Sequence, residues 1–412
     1  AALRETALSA AQVERVAGRV LRQLDHVAEL AELPAMVYQL LLLSRSGSKQ
    51  TIVGGVLAYF DGLEQNAASE QQQNEQAQTP QQRWRDLGDT EGTVMLHIGY
   101  SIKQDFELGD ALLAHASASD ALSSFSFACV LSLARIHRFE KAATGALREL
   151  LLRGMHDRDM SAAAAWARPY LLAGSGSGST GGGRLLRAVA ERSAYGWDQV
   201  TQSLVHLCLT TLDSTSAKRS AFSASACAQA REACMRTLQT AFAGHEFVRG
   251  EIVGQIMQRV TFQTEGHERF LELLQRLARA DTDALRPYAS RIVDALDAVA
   301  VLAGATVERL VRAAAALFLD DASFRTSLLL VLRKVLFAHA LDERRAALGG
   351  LFVLVDVAAR AATANVSERQ RQQRLAVLLE VVGLLRRSLT QQAEIRTAAY
   401  TRLAQLLDDP GA

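Results

Sequence analysis

Four cysteines, nine histidines and a few close charged groups are the side chains of this chain whose types and spacing could do chemistry. Cys227 and Cys234 lie seven residues apart, which puts both on one face of a helix, with Cys208 and His245 on either side in sequence. A structural zinc site is built from close pairs of the form C-x₂₋₄-C, and none occurs here. Buried thiols acting as small hydrophobes are therefore expected. Cys129, set among Phe127, Val130 and Leu131, reads as core in the same way. The histidines form no His-Glu-x-x-His run, and His97 between Leu96 and Ile98 reads as a half-buried ring. The acidic pairs Glu29 with Glu32 and Asp320 with Asp321 fall at helix ends, where capping explains them better than acid–base catalysis. The tract GSGSGSTGGG at 174–183 lacks both the Gly-Lys-Ser/Thr mouth and the preceding strand of a phosphate loop, and reads as a tether. No catalytic constellation assembles from these residues, and no cofactor is expected.

The remaining candidates are cations. Arg333, Lys334, Arg344 and Arg345 gather at one corner, with Arg369, Arg371, Arg374, Arg386 and Arg387 downstream. In one reading they contact a partner or a DNA backbone. In the other they are the solvated outer face of stacked helices, paired with Asp342 and Glu343. The chain carries 45 basic and 44 acidic residues, a net charge of +1, so any DNA contact is a local stripe and not the whole surface.

That corner must be positioned by residues 323–354, which read as two helices joined by a tight turn. Leu328 to Phe337 is apolar apart from Arg333 and Lys334, the pattern of a helix buried on most of its circumference. Asp342 is the expected N-cap of the second helix, Glu343 suits its first turn, and Gly349-Gly350 lets a neighbouring backbone approach. Such a pair cannot bury both faces alone and needs further pairs stacked on it. The composition agrees: 49% hydrophobic, 6% aromatic and five prolines favour helix, and 412 residues exceed a single core. Helical periodicity predicts segments at 9–27, 34–43, 51–63, 90–115, two within 123–153, and then 185–190, 200–212, 226–243, 251–260, 270–280, 288–302 and 307–319. The polar, glutamine-rich tract at 65–82 is expected to be a disordered loop. Glu343-x-Arg345 recurs as Glu394-x-Arg396, a pattern that resembles the second helix of HEAT-type repeats. No run approaches the roughly 18 apolar residues of a membrane span, and the scattered cysteines suit a reducing compartment.

The string VLRKVLFAHALDERRAALGGLF at 331–352 resembles the Fanconi anaemia group I protein family. So, in the same order, do ELPAMVYQLLLLS at 32–44, EGTVMLHIGYSIKQDFELG at 91–109, SSFSFACVLSLARIHRF at 123–139, WDQVTQSLVHLCLTTLDS at 197–214 and LLRRSLTQQAEIR at 384–396. The resemblance implies an all-α fold, an α-solenoid of stacked antiparallel helix pairs (HEAT/ARM-like) with an inserted helical domain. It would place the end of a first solenoid at 1–108, a helical domain at 109–195, a second solenoid at 200–363 and the start of a second helical domain at 368–412. With Ala and not Met at its start, the chain reads as an internal fragment of a longer protein.

By the same resemblance the protein would be a nuclear, non-enzymatic scaffold. It would pair with a group D2-type partner, close around DNA in interstrand crosslink repair, and be subject to monoubiquitination and checkpoint phosphorylation. The family's acceptor lysine ends a Leu-Asp-x-Arg-Lys run; here the run is Leu341-Asp342-Glu343-Arg344-Arg345, so Arg345 stands in the acceptor's place. Lys334 is the only lysine between 219 and 412 and the one possible substitute. The family's Ser-Gln cluster is missing from 363–373, leaving Thr201-Gln202 and Thr390-Gln391 as candidate kinase sites. A generic HEAT-type adaptor, unrelated to DNA repair, is the alternative reading, and an enzyme with a helical active-site domain the third.

Overall fold

The computed structural model describes residues 8–24, 26, 29–73, 79–119, 122–163, 181–194, 196–215, 222–297, 302–363 and 368–408, and every regular element among them is a helix. They fall into two compact units, Ala1–Gly244 and His245–Ala412.

The first unit begins with six helices: α1 (Ala10–Leu24), α2 (Leu33–Leu43), α3 (Lys49–Gln73), α4 (Thr79–Gln104), α5 (Phe106–Ala118) and α6 (Ser124–Leu133). Alternate helices lie side by side: α1 on α3 and α3 on α5 in one layer, α2 on α4 and α4 on α6 in the other. That two-layer stacking is how short helical pairs bury apolar faces none could bury alone. The capping box at the start of α1 is half made, the Ser9 amide donating to Gln12 Oε1 at 2.8 Å. The rest of the unit is α7 (Glu140–Ala163), α8 (Gly181–Ser193), α9 (Asp198–Ser214) and α10 (Ala224–Gly244), with α10 packed on each of the other three.

One expectation fails in this unit. The tract expected as a disordered loop at 65–82 is helical up to Gln73 and again from Thr79, while 74–78 lie outside the described residues. Gln, Glu and Ala are good helix formers; polarity tells against burial, not against helix. The helices expected over 90–115 are α4 and α5, which meet at Asp105, whose carboxylate caps α5 by accepting from the Glu107 amide at 3.1 Å. Lys49 Nζ of α3 holds that carboxylate at 2.8 Å and also pairs with Glu107, so the break is fastened to a neighbouring helix. The tether expected at 174–183 lies outside the described residues up to 180, and α8 begins at Gly181.

Gly92 in α4 is required by a close approach. The carbonyl of Gly196, a residue held at φ +83°, rests against it where a Cβ would otherwise sit, and Gln199 Nε2 donates to the Gly92 carbonyl at 2.8 Å. The obstacle is backbone and cannot swing aside. Gly92→Ala is therefore expected to destabilise this unit by about 1–3 kcal/mol, the usual size of an overpacking strain. Urea denaturation of parent and variant checks this; superimposable curves would contradict it.

The second unit contains α11 (Glu246–Thr261), α12 (His267–Ala280), the single turn α13 (Thr282–Leu285), α14 (Ala289–Asp297), α15 (Gly304–Ala313), α16 (Ala315–Asp320), α17 (Ala322–Leu336), α18 (Leu341–Thr363), α19 (Glu368–Ser388) and α20 (Ala393–Asp408). Again two layers form, α11–α14–α17 and α12–α15–α18–α20, with α19 packed along α18. Both units thus carry the stacking of an α-solenoid. The helix expected over 307–319 is split at Ala314, and the one expected over 288–302 ends at Asp297 among described residues.

Helix α18 corrects two further expectations. By length and a mean hydropathy of 1.6 it would suffice to cross a bilayer, yet most of that stretch is buried against α15, α17 and α19, so its apolar surface is used in the core. The helix also starts one residue earlier than expected. Arg344 N–H already bonds the Ala340 carbonyl at 3.3 Å, so Asp342 lies in the first turn and complements the dipole instead of capping. Side-chain capping is seen at α17, where Asp321 accepts from the amides of Ser323 and Phe324 at 2.8 and 3.0 Å.

Candidate functional site

The corner between α17 and α18 holds the four expected cations but does not gather them into one patch. Lys334, in the last turn of α17 and 69% exposed, turns to α14 and pairs with Asp297 at 2.8 Å. Arg333 is exposed beside it. Arg344 is half-buried and reaches towards α20, donating to Gln392 Oε1 at 3.2 Å and to the His339 carbonyl at 3.3 Å. Arg345 is exposed and lies loosely against Asp342 at 3.5 Å. Two large apolar side chains are exposed there, Leu330 on α17 and Phe337 just past its end, spaced with Arg333 and Lys334 along one side of the helix. The corner is tied down from α20's side, Gln391 Nε2 donating to the otherwise orphaned Leu336 carbonyl at 3.0 Å.

Arg345 lines an open groove of about 1540 Å³ between α15, α18 and α20. Across its floor Glu308 of α15 pairs with Arg402 of α20, passing over Gly349 of α18. A Cβ at 349 would run into the Glu308 carboxylate, so the glycine expected to admit a backbone admits an ion pair instead. The groove is lined by the cations Arg345 and Arg402 and by the carboxylates Glu308, Asp342, Glu343 and Glu394.

The candidate kinase sites differ sharply. Thr390 is exposed in the turn between α19 and α20, its hydroxyl donating to the Arg387 carbonyl at 2.8 Å. Thr201 is fully buried near the start of α9, closed to a kinase while the helix stays packed. Cys129, Cys208, Cys227 and Cys234 are all buried, and among the described residues no three potential ligands come together around a metal-sized space. The Cys208 thiol is pushed well up, first by its hydrogen bond with Cys234 and then by burial, so it offers no ready thiolate. His97 packs against Tyr38 with the rings tilted by 38° and 4.9 Å between centroids, and burial lowers its pKa.

One cluster escapes sequence reasoning altogether. Glu91 of α4 is fully buried and meets Arg192 of α8 at 3.1 Å; Arg192 also reaches Glu64 of α3 at 3.5 Å and lies 4.9 Å over the Trp197 ring. Nearby, Asp61 accepts from the hydroxyls of Ser123 and Ser126. Burial pushes Glu91 up to about 8, against the pull of Arg192. Burial likewise raises Asp61, against its two serine bonds. The four ionisable groups come from three helices, Asp61 and Glu64 from α3, Glu91 from α4 and Arg192 from α8, which is why no local spacing announces the cluster.

Three family models match the chain in order: FANCI solenoid 1 over residues 1–103, FANCI helical domain 1 over 107–175 and FANCI solenoid 2 over 200–352. The chain is also similar to the Fanconi anemia group I protein of Gallus gallus, 30% identical over 434 residues, and to the Fanconi anemia group I protein homolog of Mus musculus, 29% identical over 431. Each alignment takes in 96% of this chain and 32% of the relative, so the chain spans about a third of the length of the curated relatives it matches.

Proposed function

Because the chain belongs to the Fanconi anaemia group I family, we propose that it is part of a non-enzymatic scaffold acting in the nucleus in interstrand crosslink repair. In this reading it pairs with a group D2-type partner and the pair closes around DNA. The observation that carries the reading is the run of three matches to consecutive domains of one family, on helices that stack as a two-layer solenoid. The assignment of 1–108, 109–195, 200–363 and 368–412 to successive solenoid and helical domains belongs to the same proposal.

Within it, the corner of Arg333, Lys334, Arg344 and Arg345 contacts the partner or DNA. Arg345 takes the place of the ubiquitin acceptor, Lys334 is its possible substitute, and Thr390 is the accessible kinase site. The geometry supports a role for Arg345 in recognition, since it is exposed at the rim of a large groove and only loosely paired. Reversing both charges, Arg344→Glu with Arg345→Glu, is expected to weaken pairing with the group D2-type partner by roughly tenfold, as exposed interfacial charges do. Fluorescence anisotropy or calorimetry reads this directly. An unchanged dissociation constant would remove the corner from the interface.

A further inference from the structure

The proposed function leaves the four cysteines unused, yet two of them touch. Cys208 of α9 and Cys234 of α10 are buried where the two helices pack, and their thiols share a hydrogen bond. Thiols in contact across a helix pair have their Cα–Cβ bonds aimed at each other, as a disulfide requires. Neither remaining cysteine rivals this pairing. Cys227 shares a face of α10 with Cys234 but lies about 10 Å further along the axis, and a disulfide tolerates roughly 7 Å between Cα atoms. Cys129 is on α6, where burial and the charges of Asp61 and Glu91 act on it rather than another thiol. Because all four are buried, no surface thiol intercepts an oxidant or forms a mixed disulfide first.

We propose that Cys208 and Cys234 are a redox lock, joined by a hydroperoxide into a disulfide that staples α9 to α10 and separated again by a dithiol. With hydrogen peroxide, one thiolate attacks a peroxide oxygen, so that an S–O bond forms and the O–O bond breaks. The hydroxide that leaves takes up a proton as water. The sulfur of the second thiol then attacks the sulfenic acid; an S–S bond forms, the S–O bond breaks, and a second water carries off the thiol proton. The peroxide is reduced to water and the two thiols are oxidised. A neighbouring thiol closes the sulfenic acid before further peroxide reaches it, so oxidation stops at the disulfide. The first step is slow, because the Cys208 thiol is pushed well up and a small oxidant enters only on local opening of the helix pair. In a reducing compartment the pair therefore rests as thiols. The cross-link removes conformations from the unfolded chain, and since α10 also packs on α7 and α8 it fastens that whole group of helices.

The test treats the folded, reduced 412-residue chain with hydrogen peroxide, denatures it in iodoacetamide and maps it by mass spectrometry without reduction. One linked pair of peptides is expected, Cys208 with Cys234, with Cys129 and Cys227 alkylated, and dithiothreitol should release it. Oxidation is expected to raise Tm by roughly 5–10 °C, the shift that a disulfide of ordinary strength gives a unit of this size. Cys208→Ala should lose both the linked peptides and the rise. Circular dichroism shows whether that variant folds, and the mapping of the parent chain stands in either case. Sulfinic acid on single cysteines with no linked peptides would overturn the proposal, as would links that include Cys129 or Cys227. A link that forms only after unfolding in urea, or one that lowers Tm, would overturn it equally.

Discussion

Arg192→Met is expected to destabilise the first unit, by about 3–5 kcal/mol above about pH 8 where Glu91 is ionised and by less at lower pH where Glu91 holds its proton, because it strands a buried carboxylate without the cation that lies 3.1 Å from it. Glu91 is fully buried, and Glu64 and Asp61 add further negative charge around it. Methionine replaces much of the packing of Arg192, so the loss reports charge more than volume. Neutralising the acid as well, in Arg192→Met with Glu91→Gln, should recover much of the loss, as the replacement of a whole buried pair usually does. The pH dependence has a definite sign. The folded-state pKa of Glu91 is raised to about 8 from an ordinary 4.5, so between those values the folded state holds a proton that the unfolded chain has released. Stability therefore falls as pH rises from about 5 to about 8, and Glu91→Gln flattens that slope. Urea denaturation across and just above this range tests both claims. An Arg192→Met midpoint equal to that of the parent above about pH 8 would show that the carboxylate does not depend on its partner.

The second large effect is all-or-none. In a reconstituted ubiquitin-ligase reaction, no isopeptide bond is expected at 345, while Arg345→Lys is expected to create an acceptor there. A guanidinium stays protonated and delocalised at any working pH, whereas a lysine amine can lose its proton and attack a thioester. Arg345 keeps the charge and its loose contact with Asp342, so the unmodified interface can persist. Lys334 is on the preceding helix, exposed, with its amine held by Asp297. Peptide mapping separates the outcomes. Ubiquitin on Lys334 alone would mean that the site has moved by a corner of the fold. Absence of modification with pairing intact would leave the mark to the partner. Modification spread over Lys49, Lys103, Lys141 and Lys218 would contradict any position-specific acceptor.

The fold class was legible because periodicity reports burial of one helix face, and α1, α9 and α12 each bury the face their spacing marks. Breaks were legible only where they carried Gly, Pro or a change of pattern. At Ala314 nothing in the residue types interrupts the apolar period, so two helices read as one. The glutamine-rich tract misled in the opposite direction, since low hydrophobicity removes the packing signal while leaving helix propensity high. At the candidate site the sequence placed four cations at one corner. It could not say that Arg344 would turn inward to Gln392 while Lys334 turned to Asp297, because Asp297 lies on α14 and Gln392 in the turn before α20. The Glu308–Arg402 pair over Gly349 and the Glu91–Arg192 pair were invisible for the same reason, their members being 94 and 101 residues apart.

The pairing itself is tested most directly by mass photometry of the chain mixed with a group D2-type protein, with and without duplex DNA. A heterodimer that forms from the separate proteins and retains duplex that neither holds alone at the same salt is the predicted result. Two species that keep their own masses at micromolar concentration, with the DNA free, would contradict it.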